Sequence, residues 1–352
     1  MERGYSAGLY PAIAAGAARL TGRLPFSLAE WVVAAALVVA LWGLVRFVLR
    51  AVRERGHLRK AWIPALVNVL AAAAVVYAVF LLAWGLNYAR EPFAVLAGLD
   101  ASPPRIAELR AACGDLVERA NVLRAGLPED AQGVMRLQGG LRGALARAER
   151  GYREAGAVYG ALAGRLGRPK PLLASPLVSY LGITGIYFPF TGEANVNADV
   201  PEPDLPFAIS HEMAHQRGFA REDEAGYVGY LACQFHPDAD FRYSGALAAS
   251  VYALNALARV DQPAHGELAR RRSPAVERDL RAKREWAARH RGRVARVSRS
   301  VNDAYLRSQG QAEGVRSYGR MVDLLIAERR ARSAAPVPHG SLGEGALIRG
   351  ET

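Results

Sequence analysis

Apolar positions are spread unevenly along the chain, and two long apolar runs lie near its start. Trp31 to Leu49 reads WVVAAALVVALWGLVRFVL, with Arg46 as its one charge, and Trp62 to Leu86 reads WIPALVNVLAAAAVVYAVFLLAWGL with none. A helix of about 20 apolar residues crosses a bilayer, so the pattern predicts transmembrane helices over 31–49 and 62–86. Trp31, Trp62 and Trp84 stand near the run ends, where interfacial aromatics are favoured. A soluble helix of this length would show a polar face. The first run begins only at Trp31 and a second follows directly, which reads as a retained anchor and not a cleaved signal.

Between the runs lie Arg50, Arg53, Arg55, Arg59 and Lys60 with one acid, Glu54. Short loops rich in Lys and Arg stay in the cytoplasm. This predicts an inward-pointing hairpin, with the N-terminal segment 1–30 and everything after Leu86 on the extracytoplasmic side of the cell membrane.

After Asn87 the periodicity changes to that of a globular domain. Pro103 to Gly126 and Asp130 to Leu166 carry helical spacing, Gly167 to Pro171 breaks it, and Leu177 to Val200 is β-branched, aromatic and punctuated by Gly and Pro. That segment predicts a small β-hairpin with arms at Ile183 to Phe190 and Glu193 to Asn197. Helical spacing resumes at Leu205 and runs to about Arg332, and 333–352 has no periodicity, as in a disordered tail. The predicted fold is mainly α: two N-terminal transmembrane helices, then a helical domain over 87–332 with a hairpin or edge strand inside it.

Composition narrows this picture. The chain has 352 residues, 51% apolar and 22% charged, with net charge +12 carried almost wholly by Arg. A basic balance suits nucleic acid or an anionic surface; export of the basic C-terminal third removes the nucleic acid. The stretch Arg270 to Arg299 reads as a solvated helix face that can also lie against lipid headgroups, opening at Ser273-Pro274. Cys113 and Cys233 have no second Cys at ligand spacing, which excludes a Cys-based zinc cluster, and they read as buried small hydrophobes.

The candidate chemistry is His211-Glu212-Met213-Ala214-His215. Residues four apart on a helix share a face, so both imidazoles can ligate one zinc ion, and Glu212, one residue round from His211, is placed to act as general base on a metal-bound water. Pro206 suits the first helical turn and Asp204 its cap. Gly218 can end the helix in the left-handed conformation, bringing Arg221-Glu222-Asp223-Glu224 back past the metal. Glu222 and Glu224 point roughly 200° apart on a helix, so one of them supplies the third ligand. Glu222 is the reading adopted, with Glu224 the alternative. Tyr187, Tyr243, Tyr305, Tyr318, Arg242 and His236 are candidate oxyanion donors, and Glu193, Asn195 and Asn197 read as the wet face of a strand.

Trp84–Pro92 (WGLNYAREP), Gly182–Asn197 (GITGIYFPFTGEANVN), Pro206–Ala225 (PFAISHEMAHQRGFAREDEA), Val301–Leu306 (VNDAYL) and Gly314–Ala327 (GVRSYGRMVDLLIA) resemble a family of bacterial membrane proteins catalogued as domain of unknown function 3810. The family is classed as zinc-peptidase-like on the same HExxH. The resemblance implies a zincin-like domain, His211 and His215 as metal ligands, Glu212 as acid/base and the run from Glu222 as source of the third ligand; Gly226 stands where the family has Asn. The expected function is a membrane-anchored zinc metallopeptidase acting on a peptide or protein. The alternative is a membrane-tethered binding protein that uses zinc only to hold its fold. An intramembrane protease is disfavoured, because Arg217, Arg221, Glu222, Asp223 and Glu224 crowd the helix end.

Overall fold

The computed structural model describes residues 2–53, 58–164, 166–314 and 320–334. The fold is mainly helical, with a minor sheet. An irregular helical stretch at Glu2–Leu9 leads into α1 (Tyr10–Thr21), followed by two long apolar helices, α2 (Leu28–Arg53) and α3 (Leu58–Ala83). Both are long and apolar enough to cross a membrane, and their apolar windows are wholly unburied by the rest of the chain. The helices overrun the predicted segment 31–49 at both ends. At the second segment the helix stops at Ala83, and a short 3-10 turn, Gly85–Ala89, replaces its last residues. Within the predicted hairpin loop, residues 54–57 lie outside the described residues.

The body is built from α4 (Phe93–Leu96), α5 (Ile106–Ala125), α6 (Gly140–Arg147), α7 (Glu149–Val158), β1 (Lys170–Pro171), α8 (Ser175–Ser179), β2 (Gly185–Phe188) and β3 (Glu193–Val196). Then come α9 (Leu205–Gln216), α10 (Glu222–Gln234), α11 (Ala239–Leu257), α12 (Gln262–Ala269), α13 (Pro274–Arg289), α14 (Arg293–Ser308) and α15 (Met321–Ala334). In α5 the buried residues Leu109, Ala112, Cys113, Leu116, Val117 and Ala120 recur at helical spacing and face α11, while α9 packs on α10 and α10 on α11. Cys113 and Cys233 are free thiols in this core, and burial pushes both up to about 12. The segment 130–166, read as continuously helical, is interrupted: an antiparallel bridge pairs Glu129 with Met135 before α6 starts. Helix α15 runs through Ala334, past the predicted tail boundary; 335–352 lie outside the described residues.

The sheet has the order β1-β3-β2, with β1 parallel and β2 antiparallel to β3. The hairpin arms are shorter than the predicted ones but in the predicted places. The reading of Glu193, Asn195 and Asn197 as a wet face is overturned, since all three are buried. Strand β3 is the central strand, covered by α9, so its polar side chains must find partners inside. The Glu193 carboxylate accepts from the backbone N–H groups of Leu28 and Ala29 at 3.1 and 2.8 Å and from Thr191 Oγ1, and pairs with buried Lys170. It thereby caps the first turn of α2, where free N–H donors favour an anion. Glu30 returns the link, accepting from Leu173 and Ala174 N–H. A second small core of Tyr5, Tyr10, Ala14, Trp84, Tyr187 and Ala220 joins the N-terminal segment and the end of α3 to β2 and the chain after α9.

Candidate metal centre

Helix α9 carries both histidines. Pro206 stands in its first turn, but the expected cap is absent: Asp204 makes no capping bond and instead pairs with Lys283 of α13. The helix closes at Gly218, whose φ of +81° takes the left-handed conformation, and the chain turns back into α10, which begins at Glu222.

That turn brings His211, His215 and Glu222 together, with one ligand atom from each lying within 4.8 Å of the others. Oε2 of Glu222 lies 3.2 Å from Nε2 of His211 and 3.4 Å from Nε2 of His215. Donor atoms about 2.0–2.2 Å from a shared zinc ion at tetrahedral angles stand about 3.3–3.6 Å apart, close to these two separations. Protonation fits as well. Nδ1 of His215 lies 2.8 Å from the backbone oxygen of Phe219; a proton there leaves a lone pair on Nε2 in the neutral ring. A lone pair facing a carboxylate oxygen is repulsive unless a proton or a cation lies between them. That Glu222 oxygen is buried, and without a cation its partners are the two ring nitrogens.

The electrostatics of the three groups without a cation follow from the same crowding. Burial pulls the His215 imidazole down, but the Glu222 carboxylate outweighs it and lifts the ring to about 9. Burial raises Glu222, and His215 with His211 overcomes this and holds it well below the usual carboxylate range. Glu212 goes the other way: burial raises it, against the opposing pull of His211 and His215.

Glu224 is turned away. Its carboxylate accepts from Phe93 N–H at 2.8 Å and from the Arg221 guanidinium at 2.9 Å, tying α10 to α4. Arg221, at the position of a third histidine in longer zinc motifs, points to that pair and to the Arg90 carbonyl. Of the candidate oxyanion donors, Tyr187 and Tyr305 line the cleft. Tyr243 donates to Asp279 inside the core; His236 is buried, stacked on Phe241 and within 3.0 Å of the Arg147 carbonyl; Arg242 is not among the cleft residues. Tyr318 lies outside the described residues.

The cleft has a volume of about 940 Å³ and runs past His211, Glu212, His215 and Glu222. One wall is 181–190, including the outer edge of β2, and the other is α14, through Ala295, Ser298, Arg299, Val301, Asn302 and Tyr305. Phe80, Trp84 and Tyr88 also line the cleft. Gly185 lies so near Glu212 that a Cβ there would sit 2.6 Å from Cγ of the acid. Sequence reasoning named Tyr305 as a donor and Trp84 as an interfacial aromatic, but passed over Gly185, Tyr88 and the rest of the α14 wall as parts of the site. The family pieces GITGIYFPFTGEANVN, WGLNYAREP and VNDAYL carried a signal for Gly185, for Trp84 and Tyr88, and for the second half of the α14 wall.

The family described as "Protein of unknown function (DUF3810)" matches residues 5–326, and the chain belongs to it. No curated protein and no solved structure matches.

Proposed function

We propose that this member of the unknown-function family is a membrane-anchored zinc metallopeptidase, with a zincin-like body on the extracytoplasmic side that hydrolyses peptide bonds. The observation that carries the proposal is the convergence of His211, His215 and Glu222 on one point beside Glu212, in a cleft flanked by an edge strand. His211, His215 and Glu222 would hold the ion, leaving a fourth position toward the cleft. When bound, zinc supplies a water of lowered pKa and polarises a carbonyl.

The chain's own residues do the rest. Glu212 is buried and raised by burial, which suits a carboxylate that takes a proton and returns it to a leaving amine. The outer edge of β2, whose Tyr187 N–H bonds the Glu212 carboxylate, binds an extended peptide by backbone pairing, holding the scissile bond alongside Glu212. The Tyr305 hydroxyl is a cleft donor for a developing oxyanion, whereas the Tyr187 hydroxyl pairs with that of Tyr10 at 3.3 Å. Tyr305 is held by the Tyr88 hydroxyl, which donates to it at 3.1 Å.

The test is metal content and peptidase activity of the detergent-purified chain. Zinc near one per chain, lost in His215→Ala and Glu222→Ala, and hydrolysis lost in a zinc-replete Glu212→Gln are the expected results. Zinc retained in His215→Ala removes the metal centre; full function in Glu212→Gln supports the binding-protein alternative.

A further inference from the structure

The cleft has two walls, and each carries exposed apolar side chains at and beside the cleft. On α14, Val294, Val297 and Val301 are 55%, 62% and 64% exposed. At 100° per residue they form one stripe with Ala304 and Tyr305, next to the half-buried face of Ala295, Ser298 and Asn302 that lines the cleft. Arg293, Arg296 and Arg307 are exposed on the opposite flank. On the hairpin side, Leu181, Ile186 and Phe190 line the cleft and are also exposed, with Leu177 beyond them. A soluble surface rarely leaves so much apolar area together.

What covers this surface follows from its attachment to the long apolar helices. The end of α3 touches α14 directly: the Phe80 ring lies 6.4 Å from that of Tyr305, edge-on. The start of α2 is fixed to the hairpin by Glu193, which accepts from Leu28 and Ala29, and to the loop before α8 by Glu30. Each wall is therefore bonded to the end of a different candidate span, at the level where a span leaves the hydrocarbon. An amphipathic helix with a valine stripe and flanking arginines is suited to lie in that plane, its apolar face in the acyl boundary and its guanidinium groups on phosphates.

We infer that α14 and the hairpin rim rest on the bilayer, so that the cleft opens at the membrane surface and takes polypeptide segments lying there. This rests on the reading of α2 and α3 as membrane spans, within the proposed function, and is independent of hydrolysis.

The test uses the full chain in liposomes of phosphatidylcholine with phosphatidylglycerol. Single cysteines at Val297, at Val38 inside α2 and at exposed Val122 on α5 carry an environment-sensitive fluorophore; Cys113 and Cys233 are buried, and burial pushes their thiols up to about 12. Quenching is read with brominated lipid and with aqueous iodide. Expected is strong quenching by lipid at Val38 and Val297, with iodide quenching at Val297 reduced at least threefold relative to Val122. Lipid quenching at Val38 but not at Val297 overturns the inference while leaving the spans. No lipid quenching at Val38 overturns the span reading and the inference with it. Protection of Val297 from both quenchers assigns the stripe to a protein partner or a second copy, and also overturns the inference. Val294→Asp with Val297→Asp should leave zinc content unchanged and weaken lipid quenching of a probe placed at Ala304.

Discussion

The indole Nε1 of Trp84 donates to the backbone oxygen of His215 at 3.0 Å. Trp84 follows directly on the last residue of α3, and His215 stands in the last turn of α9. The indole is buried and packs edge-on against the imidazole, ring centres 5.9 Å apart. A residue expected at a membrane interface thus braces the carbonyl and ring of a candidate metal ligand. Nearby, Arg90 donates to the Arg217 carbonyl and lies over the Phe219 ring, holding the turn that carries the Phe219 oxygen bonded to His215. Placement of the site and attachment of the long helices are one set of contacts.

Replacing Trp84 by Phe should keep the packing and remove one donor from the His215 carbonyl, which keeps the Gly218 N–H at 2.9 Å. Loss of one such bond from an acceptor that stays paired costs about 0.5–1.5 kcal/mol. Urea unfolding should show that loss, and zinc affinity should fall about tenfold as the ring loosens. An unchanged affinity would show that the ligand is fixed by Phe219 alone.

The two acids of α10 should separate cleanly. Glu222→Ala should abolish zinc binding, and in the metal-free chain it should remove the pairing that lifts His215 and lowers Glu222, lowering stability at neutral pH. Glu224→Ala should retain zinc while losing about 1–3 kcal/mol, because Phe93 N–H and Arg221 lose their buried acceptor. Metal analysis distinguishes them and denaturant titration reads the stability loss in each; the reverse zinc pattern would reassign the third ligand.

Gly185→Ala places a methyl against the Glu212 carboxyl, 2.6 Å from Cγ. Either β2 or the acid must shift. Zinc content should persist, stability should fall by about 1–3 kcal/mol, and any peptidase activity should drop at least tenfold; wild-type turnover in this variant would remove Glu212 from the reaction.

His236 sets an acid limit on stability away from the site. Burial lowers its pKa, and its ring is used in the neutral form, Nδ1 accepting from Asp238 N–H at 3.0 Å while Nε2 faces the Arg147 carbonyl. A depressed folded pKa gives stability that is complete above the unfolded value near 6.5 and is lost as pH falls through the folded one. Unfolding midpoints should therefore decline below about pH 6.5 in the wild type. The decline should be shallower in His236→Gln, and parallel curves would show that other groups set the limit.

Local spacing carried much of this protein. Two apolar runs without a polar face gave α2 and α3, a β-branched segment broken by Gly and Pro gave the hairpin, and two histidines four apart shared a helix face because 3.6 residues make a turn. Gly218 marked where the chain reverses, so Glu222 could be nominated before any contact was known. Spacing is silent on contacts between segments far apart in the chain. It could not show that Glu193 is buried as the cap of α2, or that Glu224 serves Phe93 and Arg221. Nor could it show that Asp204 abandons the helix start for Lys283, or that α14 forms a wall of the cleft. Each of these depends on which buried donors stand near a given acceptor, or which apolar faces meet, once the chain has closed on itself. Such pairings are set by the packing of the whole domain and leave no period in the sequence.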